Sequence, residues 1–147
     1  MNWKEPLSSI GLLWLRVLMG LGIMTHGYGK VFEGRVENLA EGVAKMGLPM
    51  PELMAWAAAL SEFFGGLLVV LGLATRPAAL MIFCTMTVAA FIAHGADPLS
   101  KKELALAYWA ISGALVLTGA GKFSFDAVVL PKFFKRKGDA PAPETKP

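Results

Sequence analysis

Residues 55–77, AWAAALSEFFGGLLVVLGLATRP, carry no charge before Arg76 except one carboxylate, Glu62. Upstream, LRVLMGLGIMTHGYGK (15–30) places a guanidinium, Arg16, inside an equally apolar run. Either charge alone inside a bilayer costs about 2.5–3.5 kcal/mol on insertion scales, so each calls for a partner, a proton or a ligand. Counting inward at about 1.5 Å per residue puts Glu62 roughly 15 Å from Gly72 and Arg16 roughly 13 Å from Leu7. The matched depth predicts an Arg16–Glu62 ion pair. That pair would register two helices against each other, mark a ligand, ion or proton site, or do both.

A second set of polar residues gathers at the opposite helix ends. His26 and Lys30 close the first apolar segment, His94 closes the third, and Glu103 opens the fourth with Tyr108 one turn further in. Three chemistries fit these types: electrostatic capping of helix ends, hydrogen bonding to a quinone headgroup or other small ligand, and metal or haem ligation. No helix carries ligand spacing such as His-Glu-x-x-His, so no metal site is assigned. On the other side Arg76 and Asp126 form a candidate structural pair, pinning the segment that follows the fourth helix. Cys84 is the only cysteine, which excludes an internal disulfide or a two-thiol redox centre.

The elements that must position these groups are membrane helices. The chain has 147 residues, 55% hydrophobic and 17% charged, with a mean hydropathy of +0.54, too apolar for an ordinary soluble domain. A crossing with its connection takes about 30 residues, which allows four. They are read at about 7–28, 51–73, 77–94 and 103–120, within a membrane domain over 1–130. The predicted fold is an all-α antiparallel four-transmembrane-helix bundle, because ATRP and GADPLSKK are too short to separate the helices they join. The longest connection, GKVFEGRVENLAEGVAKMGLPM, alternates charged and apolar residues from Val36 to Met46, as in a short interfacial helix. Residues 131–147 read as a basic juxtamembrane segment and a disordered Pro/Ala tail.

The net charge of +3 comes without a basic stripe of interleaved aromatics, which argues against nucleic acid and for lipid headgroups. Lys/Arg residues lean toward the side that holds both termini, Arg76 and Lys122, making that side cytoplasmic. Small-residue helix faces also permit a homodimer.

LRVLMGLGIMTHGYGKVF, then GLPMPELMAWAAALSEFFGGLLVVLGLATRPAAL, then AAFIAH, then GAGKFSFD together resemble the DoxX family of small bacterial membrane proteins. The likeness rests on an order: an intramembrane Arg, H-G-x-x-K, E-x-x-G-G and G-x-x-T-R. The matching positions are Arg16, His26, Gly27, Lys30, Glu62, Gly65, Gly66, Arg76, His94, Gly121, Ser124 and Asp126. The resemblance implies the bacterial inner membrane and kinship with the DoxD membrane subunit of thiosulfate:quinone oxidoreductase, other members being associated with oxidative-stress defence. It thus implies a subunit of a quinone-linked redox system, with quinone as cofactor. With no cysteine pair or flavin motif in the chain, that role implies a redox partner subunit. A small-solute transporter and a non-catalytic membrane scaffold are the alternative readings.

Overall fold

The computed structural model describes residues 4–129; the basic segment and tail expected over 131–147 lie outside the described residues. The described elements are helices: α1 (Lys4–Phe32), α2 (Val36–Lys45), α3 (Pro51–Leu71), α4 (Thr75–Ala93) and α5 (Leu99–Thr118). Among the described residues, α1, α3 and α4 are long and apolar enough to cross a bilayer. α5 has 20 residues, but Lys101, Lys102 and Glu103 crowd its first turns, so length and composition do not mark it as a span.

Local chemistry accounts for the helix ends. Pro6 sits in the first turn of α1, where its missing N–H costs nothing, so α1 starts earlier than residue 7. Gly72 closes α3 in the left-handed conformation at φ 69°. α4 begins two residues before Pro77, which still falls within its first turn. α2 buries Val36 and Val43 and packs on the first half of α3.

The burial pattern is inverted relative to a soluble protein. Arg16 is 0% and Glu62 2% exposed, whereas Trp14 is 70% and Leu117 79% exposed. Charges turned inward and large apolar groups turned outward are what a lipid solvent selects.

α1 and α3 run antiparallel along a seam of small residues. A Cβ on Gly20 would lie 2.7 Å from the Gly66 carbonyl, and one on Gly66 would lie 2.9 Å from the Gly20 carbonyl, so the backbones nearly touch. α3 joins α4 through the Ser61–Thr85 hydroxyl contact at 2.7 Å, and α4 joins α5 through the Trp109 indole N–H donating to Thr87 at 3.1 Å. Met19 and Ile23 from α1, Val69 from α3, Ile82 and Met86 from α4, and Leu115 from α5 share one core. Gly20→Leu is expected to cost about 3 kcal/mol by overpacking the seam. Gly11→Leu, which meets nothing within 4 Å, should be neutral; equilibrium unfolding in mixed micelles compares them.

Candidate functional site

Two of the long helices widen into a π-helical turn, over Ser61–Gly65 in α3 and Val88–Ala93 in α4. Such turns carry an extra residue and re-aim the side chains around them. The first holds Glu62. Gly27 of α1 packs directly on the backbone of Glu62 and Phe63, so Lys30, one turn further on, comes level with the carboxylate. Its Nζ donates to both Glu62 oxygens at 2.6 Å. The Glu62 side chain is 3% exposed and that of Lys30 27%, a buried anion neutralised by an ammonium that reaches in from the helix end.

The second π turn leads into His94. Its Nδ1 lies 2.8 Å from Asp97 Oδ2, an i,i+3 pair across the α4–α5 turn. α5 then presents Lys101, Leu104, Ala105 and Tyr108 on one helical face. Between these elements lies a cavity of about 200 Å³ bordered by His26, Lys30, Glu62, His94, Lys101 and Tyr108 over the apolar Ile23 and Met86. The His26 and Tyr108 rings meet edge to face at 6.0 Å. Gly22 leaves the space in which the Tyr108 hydroxyl sits. The cavity is thus bordered by two imidazoles, two ammonium groups, a phenol and a carboxylate, the last already bonded to one of the ammonium groups.

The His94 hydrogen bond holds the Asp97 carboxyl below its ordinary range, aided by Lys101 and Lys102. A depressed folded-state value makes this contribution present above the unfolded value of about 3.8 and lost as pH falls through the folded one. Protection of the amides at 94–97, taken as exchange relative to the intrinsic rate at each pH, is therefore expected to hold from pH 7 to 5 and to fall only below pH 4. Loss of that protection already at pH 5 would contradict that assignment.

The expected Arg16–Glu62 pair does not form. Gly27 faces Phe63, whereas Arg16 faces Gly72, so along α1 the guanidinium lies roughly 16 Å from the level of Glu62 at 1.5 Å per residue. Depth counted from the apolar edge at Leu7 missed this, because close packing of the glycine seam sets the register. Arg16 Nη2 instead donates to the Phe123 carbonyl at 2.5 Å, with Asp126 as the charge acting on it.

Arg76 and Asp126 do not pair either. The Asp126 carboxylate accepts the N–H groups of Ala74 at 2.7 Å and Thr75 at 2.9 Å, capping α4 from fifty residues away in sequence. Arg76 turns to the Leu117 carbonyl near the end of α5, at 3.3 Å, where a cation meets the negative helix end. A groove of about 770 Å³ beside them is lined largely by small residues and backbone.

Glu103 is exposed and not among the cavity-lining residues, being off the 101–104–105–108 face of α5. Asp97, Lys101 and the π turns were not anticipated; the His-x-x-Asp spacing in HGAD was the readable signal for the first. Among the described residues no group of three or more His, Cys, Asp or Glu side chains is arranged to hold a metal.

Comparison with known proteins adds the lineage. The DoxX family model matches residues 11–95. An uncharacterised protein of Haemophilus influenzae is 32% identical over 143 residues, covering 92% of this chain and 100% of the relative. The inner membrane protein YqjF of Escherichia coli is 31% identical, covering 88% of this chain and 99% of its own. The putative oxidoreductase CatD of Bacillus subtilis is 39% identical over 77 residues, covering 52% and 54%. No solved structure matches. The matched span includes Arg16, His26, Lys30, Glu62 and His94, and the chain is a multi-pass membrane protein that belongs to the DoxX family.

Proposed function

We propose that the cavity between α1, α3, α4 and α5 binds a quinone headgroup and that the protein serves as the membrane subunit of a quinone-linked redox system. The observation that carries this reading is the meeting of His26, Lys30, Glu62, His94 and Tyr108 around about 200 Å³ at the end of apolar helices. Quinone oxygens need hydrogen-bond donors, which Lys30, Tyr108 and His26 provide, and the isoprenoid tail needs lipid, which adjoins them. The relative named a putative oxidoreductase supports the same direction. The electrons come from a partner subunit.

In this reading α5 is the fourth crossing and closes an antiparallel bundle, since Leu115 enters the core shared by α1, α3 and α4. α2 lies at the membrane surface. Both termini then share one side, which the Lys/Arg lean makes cytoplasmic. Two chains can meet on their remaining small-residue faces.

Native mass spectrometry of the protein taken from its own membranes tests the reading. The expected spectrum shows one quinone retained per chain, lost in His26→Leu and Tyr108→Phe variants. A ligand-free wild type whose proteoliposomes show solute flux abolished by Glu62→Gln would replace the proposal with transport.

A further inference from the structure

The pairing of His94 with Asp97 determines more than the ring's position. A carboxylate only accepts hydrogen bonds, so the neutral imidazole must carry its proton on Nδ1 to bond Asp97 Oδ2 at 2.8 Å. Nε2 is then left with a lone pair, in a residue that borders the cavity. The other ionisable groups around this space are Lys30 and His26 from α1, Glu62 from α3, and Lys101 and Tyr108 from α5. Glu62 is already taken by Lys30 through both oxygens. His94, with its side chain 46% exposed, has access to water as well as to the cavity.

We infer that His94 is the proton acceptor of this cavity, positioned by Asp97 to take the proton of a bound hydroquinone-type hydroxyl through Nε2. The inference rests on the reading of the cavity as a headgroup site and adds which form of the headgroup it selects: the reduced one, whose O–H can donate to Nε2. In the step, the ligand O–H bond breaks and an Nε2–H bond forms. The electron pair stays on the ligand oxygen, and nothing is oxidised or reduced. The negative charge left on the ligand oxygen would have the Lys101 ammonium at the cavity border, Lys30 being engaged by Glu62, and the imidazolium would have the Asp97 carboxylate beside it. The proton then leaves His94 for the aqueous side. Asp97 acts through His94 and is a positioning residue, as a carboxylate is when it holds an imidazole in one tautomer.

The chain has only two histidines, so ¹⁵N-imidazole spectra of the full protein in nanodiscs, with His26→Gln to assign the signals, read the tautomer directly. Wild-type His94 is expected in the Nδ1–H form at pH 8, and Asp97→Asn should move it to the Nε2–H form. Duroquinol under anaerobic conditions should bind Asp97→Asn about tenfold more weakly than wild type, the cost of one lost hydrogen bond. Duroquinone, whose carbonyls can accept from Nε2–H but have no hydroxyl to donate, should bind Asp97→Asn at least as tightly as wild type, and Asp97→Glu should restore the duroquinol affinity. Binding of both probes to a wild type whose His94 is in the Nε2–H form overturns this inference alone. Equal weakening of duroquinol and duroquinone in Asp97→Asn also overturns it alone, because a merely structural role would do that. Absence of binding by either probe to the wild type overturns the headgroup reading and this inference with it.

Discussion

Lys30→Met is expected to lower stability by about 3–5 kcal/mol, the cost of stranding a buried charge. Glu62 accepts from Lys30 through both oxygens and its side chain is 3% exposed, so the variant removes its one side-chain partner among the described residues. Glu62→Met alone should cost less, because Lys30, at 27% exposure, can swing its ammonium toward the interface. Combining Lys30→Met with Glu62→Met should return stability to within about 1 kcal/mol of wild type, since replacing both partners removes the desolvation penalty along with the attraction. Equilibrium unfolding of the four proteins in mixed micelles supplies the cycle. A double variant as unstable as Lys30→Met would show that the pair does more than neutralise itself. Quinone retention lost in a double variant of wild-type stability would separate the ligand role from the folding role.

Asp126→Ala is expected to cost about 3 kcal/mol, the sum of a lost helix cap and lost charge-assisted hydrogen bonds. Asp126 holds three things together. Its carboxylate satisfies the N–H groups of Ala74 and Thr75 at the start of α4. Its own N–H donates to the Gly72 carbonyl at 2.8 Å. Its charge acts on Arg16, a 0% exposed guanidinium whose Nε and Nη1 have no hydrogen-bond partner. Removing the carboxylate leaves that guanidinium with the Phe123 carbonyl. Asp126→Asn keeps an acceptor for one N–H and should lose about half as much. Amide exchange localises the effect: Ala74 and Thr75 should exchange faster in Asp126→Ala, while amides around Glu62 stay unchanged. Unaltered exchange at Ala74 would contradict the capping role.

Much of the architecture was legible because hydrophobicity and breakers act locally. Helix-length apolar runs, Pro51 near a helix start, Gly72 at a helix stop and the amphipathic pattern from Val36 each work within a few residues. They named α1 through α5 with only end residues displaced. The residues of the cavity were also legible by type: an ionisable side chain in an apolar run announces itself, and His26, Lys30, Glu62, His94 and Tyr108 all announced themselves in that way. Asp97 and Lys101 did not, because charged residues in a connecting turn look like ordinary solvated loop.

Partnership was not legible. Beyond the first turn of α1, Glu62 had Arg16 and Lys30 to choose from, and the choice depends on sliding one helix along another by three turns. Apolar boundaries define depth only to a few residues. What set the slide was the contact of Gly20 with Gly66 and of Gly27 with Phe63, where missing side chains let the backbones close. That contact brought Lys30 to Glu62 and left Arg16 to the far end. There the Asp126 carboxylate had already taken two fixed backbone donors, so Arg76 turned to the end of α5. The sequence by itself determined that the chain is helical, membrane-spanning and a carrier of buried charge, because those follow from the solvent preference of each segment. Only the tertiary structure decided which charge meets which, because pairing depends on register between helices, and register is set by packing across them.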